Sequence, residues 1–315
     1  MNKVGILLLG YRRPELLLKR LLELKRFNFL STYVSIDKYE GDDAQEIYQD
    51  FQEIKASFSN VSNIHWLFKS KKMGLTKHLF AAVDEVLNEK DAVVIVEDDI
   101  AISEDPFNSL IKLLENGLPK KILTAGLFGG LSFSSVKGFG FKNNFWRSTP
   151  YFSAWCWGIE REKWLAFRKV ISVENSWETF EFKSDFWRRL PETKKRRWDY
   201  RFGKLRANPI FTWDYQLQYF SFKTNMNHYL PVFRAVDNVG FNDSRASNTR
   251  ERRPNWYQGE SLNMGIDREL SSKIGTQILV GLDSLTWAGD SPIPQKYRLL
   301  RYYFLSRIFR KKSDH

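Results

Sequence analysis

AVVIVEDDI, residues 92–100, is a run of five apolar residues that ends at three consecutive acids, Glu97, Asp98 and Asp99. The charged residues 89–91 precede the run. An apolar run of this length between charged flanks is typical of a strand that is buried on both faces of a parallel sheet. Open α/β sheets bind their ligands at the carboxyl ends of such strands. The three acids therefore mark the expected position of a ligand site.

The chemistry of the triplet indicates a cation. Three neighbouring carboxylates repel one another, and a hard cation such as Mn²⁺ or Mg²⁺ relieves that repulsion while it binds phosphate oxygens. An acidic turn ahead of the next element is the alternative interpretation. The buried strand in front of the acids favours the metal site.

Strands and helices alternate around this stretch. The pattern predicts strands at 4–9, 32–36, 64–68 and 92–96 and helices at 13–25, 44–58, 76–88 and 105–115. The βαβαβαβ order predicts a doubly wound parallel sheet in this half of the chain. The GxGxxG fingerprint and the GxxxxGK[ST] loop are absent from the sequence, so a nucleotide would not be held as in dehydrogenases or P-loop NTPases.

The composition narrows the class of protein. A hydrophobic content of 43% excludes a disordered chain, and the single cysteine, Cys156, excludes an intramolecular disulfide and indicates a reducing compartment. The net charge of +12 predicts an anionic partner, which is a nucleic acid, an acidic membrane face or a phosphorylated substrate. The apolar stretch 4–10 is too short to span a membrane, so we expect a first strand there and a cytoplasmic protein.

Several short motifs occur in a characteristic order along the chain. They are the turn Gly10-Tyr11-Arg12-Arg13, Asp37 in VSIDKYEG, the EDD triplet with 104–107 behind it, residues 154–158, the pair Trp213-Asp214 and the segment 238–247. Over roughly residues 3–250 this order resembles the GT-A class of nucleotide-sugar glycosyltransferases. Within that class it is similar to the Golgi N-acetylglucosaminyltransferase family that acts on mannose and to its bacterial relatives. The segment 69–77 departs from the turn common in those relatives.

The resemblance implies an α/β GT-A fold, Rossmann-like, with a mixed, mainly parallel sheet flanked by helices and a basic helical C-terminal extension. Residues 1–250 would form the GT-A domain, with a nucleotide-binding half at 1–120 and an acceptor half at 121–250. Residues 251–315 would form the extension. Basic residues crowd into 183–206 and 294–312. The second of these segments either lies in an anionic lipid surface at the cytoplasmic face of the membrane or docks on its own domain.

The resemblance also implies roles for residues of the nucleotide-binding half. Gly10, Tyr11 and Arg12 would meet the nucleotide, and Asp37 would contact a uracil or act only as a strand-end cap. Asp99 would bind Mn²⁺ or Mg²⁺, while Glu97 and Asp98 would contact the ribose or metal-bound water. Two basic residues, Lys77 and Arg245, are candidates for contact with the phosphates, and each is also compatible with an ordinary surface position. We leave His78 unassigned as a plain surface residue.

On the acceptor side, Asp214 is the expected general base, or else a structural partner of an arginine in 194–206. Trp155 and Trp157 either stack on sugar rings or pack the core. An inverting transfer needs such a base and a cation that neutralises the departing diphosphate. The predicted reaction moves a sugar from a UDP-sugar such as UDP-GlcNAc to a glycan or a lipid-linked saccharide.

Two other functions remain open at this level. Single-strand nucleic-acid binders combine positive charge with interleaved aromatic residues, but that function gives no reason for a buried strand that ends in EDD. Metal-dependent nucleases and phosphotransferases gather carboxylates from several strands around two metals, and only one acidic cluster is obvious here. The transferase is therefore the expected function, with no nucleic-acid partner.

Overall fold

The structure, a computed structural model, describes residues 3–129, 146–174, 176–180, 182–210, 212–231, 234–241 and 243–245. Four parallel strands form its first half, namely β1 (Val4–Gly10), β2 (Ser31–Ile36), β3 (Ile64–Phe68) and β4 (Ala92–Glu97). They lie in the order β3-β2-β1-β4. This part of the sheet is parallel throughout, so the prediction of a doubly wound first half is confirmed.

Four helices alternate with these strands or follow them. They are α1 (Pro14–Leu24), α2 (Ala44–Ser57), α3 (Leu75–Glu89) and α4 (Glu104–Glu115). Helices α1, α2 and α4 cover one face of the sheet, and α3 covers the other. Helices are needed on both faces because the strands are apolar on both sides. In β1, for example, Val4, Ile6 and Leu8 enter one core cluster while Leu7 and Leu9 enter the other.

The second half extends the same sheet with strands of both directions. Strands β6 (Ile122–Gly126), β7 (Trp146–Thr149), β8 (Trp157–Glu160) and β9 (Asn227–Pro231) continue from β4 in the order β4-β8-β6-β9-β7. Strand β8 is antiparallel to both β4 and β6, whereas β6 and β9 are parallel. The fold is therefore α/β with a mixed, mainly parallel sheet flanked by helices, as expected.

A two-stranded ribbon lies beside the end of β4. Strands β5 (Ile100–Ile102) and β10 (Val236–Asn238) pair antiparallel. The ribbon continues to Val239, whose backbone N–H donates to the carbonyl oxygen of Asp99 at 2.8 Å. A distant part of the chain is thereby fixed against the acidic triplet.

The remaining helices are α5 (Arg161–Val173), α6 (Asp185–Arg189), α7 (Glu192–Ala207) and α8 (Trp213–Thr224). Many of the aromatic residues pack between them, since Trp198, Phe202 and Phe222 join the cluster that also holds α3. The aromatic content therefore serves the core to a large extent. None of the helices in the described ranges is long and apolar enough to cross a bilayer. The predicted extension 251–315, with its basic segment 294–312, lies outside the described residues.

Candidate functional site

A pocket of about 370 Å³ opens at the carboxyl ends of β1, β2 and β4. Strands β2 and β3 lie on one side of β1 and β4 lies on the other, so the strand order reverses between β1 and β4. Ligands of open α/β sheets bind at such a reversal. The lining consists of residues 9–13, 37, 73–78, 97–99, 210 and 245.

The structure brings the predicted nucleotide-sugar and metal residues to this one pocket. Its lining includes Gly10, Tyr11, Arg12, Asp37, Lys77, Glu97, Asp98, Asp99 and Arg245. Three residues named for the acceptor side, Trp155, Trp157 and Asp214, lie outside the lining.

Arg13 lies at the centre of the acidic triplet. Its Nη2 forms an ion pair with Asp98 Oδ1 and lies 3.2 Å from Asp99 Oδ2. The Asp98 and Asp99 side chains are each only 5% exposed. Burial alone would lower the pKa of Arg13, but the two carboxylates raise it overall. Sequence reasoning placed Arg13 in the nucleotide turn without assigning it this role.

One arginine does not neutralise the three acids. Burial raises the pKa of Glu97 to about 8, and the charges of Asp99, Asp98 and Asp214 add to the rise, while Arg13 opposes it. Burial also raises the pKa of Asp98 to about 7, against the effect of Arg13. The site therefore carries an excess of carboxylate that favours a further cation.

Asp99 has an atom suited to bind that cation. Its Oδ1 is buried and has no hydrogen-bond partner among the described residues. Within the same part of the chain, no group of three or more His, Cys, Asp or Glu side chains is placed to hold a metal. A Mn²⁺ or Mg²⁺ ion fits here with one protein carboxylate oxygen and needs its other ligands from water and a bound phosphate.

Gly240 makes this arrangement possible. A Cβ at this position would lie 2.5 Å from Asp99 Oδ2 and 2.8 Å from Arg13 Nη1. The chain after β10 therefore approaches the acids as closely as only glycine allows. Gly240 belongs to the segment 238–247, which the motif order singled out in the sequence.

The amino terminus of α3 forms the opposite wall. Gly74 precedes the helix with a φ of 77°, and residues 75–77 of the first turn line the pocket. A helix amino terminus carries partial positive charge and binds anions, and the ammonium of Lys77 adds to it. This wall is suited to phosphate.

Asp37 holds the loop in front of α3. Its carboxylate accepts hydrogen bonds from the backbone N–H groups of Met73 and Gly74, each at 2.9 Å, and of Lys38 at 3.0 Å. These contacts are those of a strand-end cap. The side chain also lines the pocket, so contact with a ligand is compatible with the capping.

The position of His78 differs from the one expected from the sequence. The expectation of a plain surface position is wrong, because the side chain is buried and its Nε2 lies 2.8 Å from Ser35 Oγ. Burial lowers the pKa of His78 to about 4, so the ring is neutral at pH 7. It lines the pocket as an uncharged group.

Two further groups of side chains include lining residues of the pocket, namely Tyr11 and Arg12 in one and Arg245 in the other. The rings of Tyr11 and Tyr39 meet edge to face at 5.7 Å, and the guanidinium of Arg12 lies 4.5 Å from the Tyr39 centroid. Arg245 pairs with Glu15 and Asp243, and hydrogen bonds to these carboxylates raise its pKa. This part of the lining thus combines an aromatic ring with two cations.

Asp214 lies in the first turn of α8, beyond the pocket lining. Its Oδ1 accepts hydrogen bonds from Thr212 Oγ1 and, at 3.0 Å, from the backbone N–H of Tyr215. Burial raises the pKa of Asp214 even though these hydrogen bonds lower it. Its charge also acts on Glu97, so the two carboxylates are within electrostatic reach of each other.

The two tryptophans of 154–158 have different environments. Trp155 is half-buried and packs edge to face on Phe128, at a centroid distance of 4.5 Å. Trp157 is fully buried and stacks on Trp213 at 5.2 Å. Side chains alternate along a strand, and on β8 this places Trp157 in the core. Stacking of Trp157 on an acceptor sugar is therefore incompatible with this packing, whereas Trp155 keeps an accessible surface.

No protein-family profile matches the chain, and no curated protein matches it in sequence. Solved structures with a similar fold include a mannosyltransferase from Pyrobaculum calidifontis in complex with GDP-Man and Mn²⁺, at 13% identity and a TM-score of 0.35. That match covers 51% of this chain and 45% of the mannosyltransferase, so the chain spans less than half of that protein.

Two further solved structures show a comparably weak similarity to the chain. A mannose-1-phosphate geranyltransferase from Thermus thermophilus has 12% identity and a TM-score of 0.36, over 76% of this chain and 77% of that one. The apo form of the glycosyltransferase GlyE from Streptococcus pneumoniae has 13% identity and a TM-score of 0.28, over 97% and 64%. Because likenesses this distant carry no argument about the chain, the ligand is argued from the site itself.

Proposed function

We propose that this protein is a metal-dependent glycosyltransferase that binds a nucleotide-sugar donor in the pocket at the ends of β1, β2 and β4. The main support for this proposal is that the buried, unpartnered Asp99 Oδ1 shares one pocket with Arg12, Lys77 and the amino terminus of α3. A diphosphate bridged to a cation satisfies both kinds of group at once. A ligand with only positive or only negative charge would leave one of them uncompensated.

The donor would lie across the pocket. Its diphosphate would face Lys77, the first turn of α3 and the guanidinium of Arg245, because these groups supply positive charge to the lining. Its nucleoside would lie near Tyr11 and Arg12. Gly10 also lines the pocket, and a Cβ there would lie 2.7 Å from Leu17 Cδ1, so the glycine lets the strand end pack closely on α1.

Asp99 would hold the Mn²⁺ or Mg²⁺ ion directly. Glu97 and Asp98 would face the ribose or the water molecules around the ion. When bound, the cation neutralises the charge that develops on the leaving diphosphate. The donor is a UDP-sugar such as UDP-GlcNAc in this proposal, on the motif resemblance set out above.

Asp214 would act as the general base of an inverting transfer. Its raised pKa, caused by burial, brings the carboxylate closer to the range in which a base takes a proton from a hydroxyl at neutral pH. The hydroxyl belongs to a glycan or a lipid-linked saccharide, and Trp155 is the tryptophan that can contact it. The acceptor then reacts at the cytoplasmic face of the membrane.

Thermal unfolding tests the donor site. Melting is measured with UDP, GDP, CDP and ADP, each with Mn²⁺ or with EDTA. A nucleotide at 100 times its Kd adds about 2.7 kcal/mol of stability. We expect a Mn²⁺-dependent shift with UDP that Asp99→Asn removes. The matched control, Asp105→Asn, changes an exposed acid in the first turn of α4 and keeps the shift.

Two results would contradict the donor site. One is the absence of a shift with every nucleotide together with a large, salt-sensitive shift with an oligonucleotide, which would make the protein a nucleic-acid binder. The other is a nucleotide shift that Asp99→Asn and Asp105→Asn retain equally, which would remove the cation from the proposal.

The rate of sugar transfer tests the role of Asp214 as the general base. In Asp214→Asn the donor shift should persist while sugar transfer falls by about 10²–10⁴-fold, the usual contribution of a general base. The control Asp185→Asn changes an acid with a 71% exposed side chain and should transfer normally. A variant of Asp214 that melts early, or that loses donor binding, would indicate a structural carboxylate instead.

A further inference from the structure

An apolar residue from the second half of the chain lines the donor pocket. Ile210 lies between α7 and α8, contributes to the lining and is 51% exposed. Most of the other lining residues are charged or polar, and Leu75 at the start of α3 is a second exposed apolar residue among them. The pocket therefore offers a ligand apolar contacts as well as charges.

The backbone around Ile210 is held by hydrogen bonds. The N–H of Ile210 donates to Asn208 Oδ1 at 3.2 Å. The carbonyl oxygen of Pro209 accepts a hydrogen bond from Gln216 Nε2 at 2.7 Å, and Gln216 is a buried residue of α8. Ile210 is thus an exposed side chain on a backbone that is tied to α8 and to the end of α7.

Ile210 also lies close in sequence to the proposed base. Asp214 follows it by four residues, and the charge of Asp214 raises the pKa of Glu97, which lines the pocket. In the proposed transfer the sugar lies between the cation at Asp99 and the acceptor hydroxyl at Asp214, because that hydroxyl attacks the sugar. A lining residue so near the base in the chain is therefore expected beside the sugar rather than beside the nucleoside.

We propose that Ile210 determines which sugar the pocket accepts, through contact with a methyl group on the sugar of the donor. The methyl group belongs either to an acetamido substituent or to C6 of a 6-deoxy sugar. The inference rests on the proposed function, since it concerns the donor of that transfer. Isoleucine has no hydrogen-bonding group, so a sugar hydroxyl placed against it loses water without gaining a partner, whereas a methyl group gains from burial.

Calorimetric titration of the full chain in Mn²⁺ tests this role with four probes. They are UDP, UDP-glucose, UDP-GlcNAc and UDP-6-deoxyglucose, so that UDP reports the donor site without a sugar and the last two each carry one methyl group. We expect one of these two to bind the wild type about 3–10-fold more tightly than UDP-glucose, as for one methyl group on a half-exposed apolar surface. The donor that does so identifies the source of the methyl group.

Three variants locate the preference. Ile210→Ser should bring the affinity ratio to about 1 while UDP binds as it does to the wild type. Ile210→Leu keeps an apolar side chain and should keep the preference. The matched control Leu165→Ser changes a residue of α5 that is 57% exposed and lies outside the pocket lining, and it should keep the preference too.

The outcomes separate this inference from the proposed function. Absence of binding by UDP and by all three UDP-sugars would overturn the UDP-sugar donor and the inference with it. If UDP binds, the donor site stands. The inference alone is then overturned by equal wild-type affinity for the three UDP-sugars, by a preference that Ile210→Ser retains, or by one that Leu165→Ser also removes. Loss of UDP binding in Ile210→Ser would show that the residue supports the whole pocket, which overturns a role in sugar selection as well.

Discussion

Arg13→Gln tests whether the acidic triplet depends on a counter-charge. In the structure this arginine is paired with Asp98 and Asp99, and its own side chain is 11% exposed. Glutamine keeps hydrogen-bonding capacity and much of the length but removes the charge. The two buried carboxylates then lose the cation that opposes their mutual repulsion.

The burial of the pair sets the expected magnitude. Removing one partner of a buried ion pair costs about 3–5 kcal/mol, because the remaining charge stays buried without compensation. The chain offers an exposed counterpart, since Arg26 lies 3.9 Å from Glu104 with side chains that are 65% and 57% exposed. Arg26→Gln should cost about 0–1 kcal/mol, as exposed pairs do. The two variants should therefore differ by at least about 2 kcal/mol, roughly 30-fold in the unfolding equilibrium.

Urea unfolding followed by tryptophan fluorescence measures both variants, in EDTA and in Mn²⁺. In EDTA we expect Arg13→Gln to show the full loss. Mn²⁺ should restore more stability to Arg13→Gln than it adds to the wild type, because the ion replaces the missing counter-charge. The reasoning is refuted if Arg13→Gln costs no more than Arg26→Gln, or if Mn²⁺ stabilises wild type and variant equally.

Three further changes probe the surroundings. Gly240→Ala should lower the free energy of unfolding by about 1–3 kcal/mol through overpacking, and it should weaken the Mn²⁺-dependent nucleotide shift. The control Gly203→Ala within α7 should raise the free energy of unfolding by about 0.5–1 kcal/mol. Equal unfolding midpoints of the two variants would contradict the close approach at Gly240. Burial lowers the pKa of His228 from 6.5 to about 3, so this side chain alone should remove about 2 kcal/mol of stability as pH falls from 7.5 to 5, and the change in unfolding free energy of His228→Gln across this range should differ from that of the wild type by about that amount. Trp157→Ala should cost about 3–5 kcal/mol and Trp155→Ala only about 1 kcal/mol, and similar losses in urea unfolding would show that the two rings are equally buried.

The sequence predicted the first half of the fold closely. The four parallel strands and the helices α1–α4 lie within one residue of their expected bounds at each end. Strands buried on both faces appear as continuous apolar runs, and amphipathic helices repeat their leucines at helical spacing, so both signals are local.

The second half depends on pairing between distant segments. Strand β8 is only four residues long, and it lies between β4 and β6 through antiparallel contacts that no local pattern specifies. The ribbon of β5 and β10 has three residues in each strand. Strands this short carry too few alternating positions for a sequence signal.

Parts of the candidate site were predictable for a topological reason. Parallel strands of one sheet end at one edge, so residues that follow β1, β2 and β4 had to meet there, whatever the loops do. The role of Arg13 was not predictable, because it depends on the register that sets Leu9 opposite Glu97. The burial of His78 likewise depends on how α3 is rotated towards Ser35.

The charges of the site connect the two halves of the sheet. Arg13, which directly precedes α1, acts on the pKa of Glu97, as does Asp214, and Arg201 of α7 acts on the pKa of Asp214. A base must be ionised before it can accept a proton, and burial alone drives Asp214 towards its neutral form. The positive charge of Arg201 opposes that drift. In a transferase that uses Asp214 as its base, Arg201 would therefore help to keep this carboxylate ready to take the acceptor's proton.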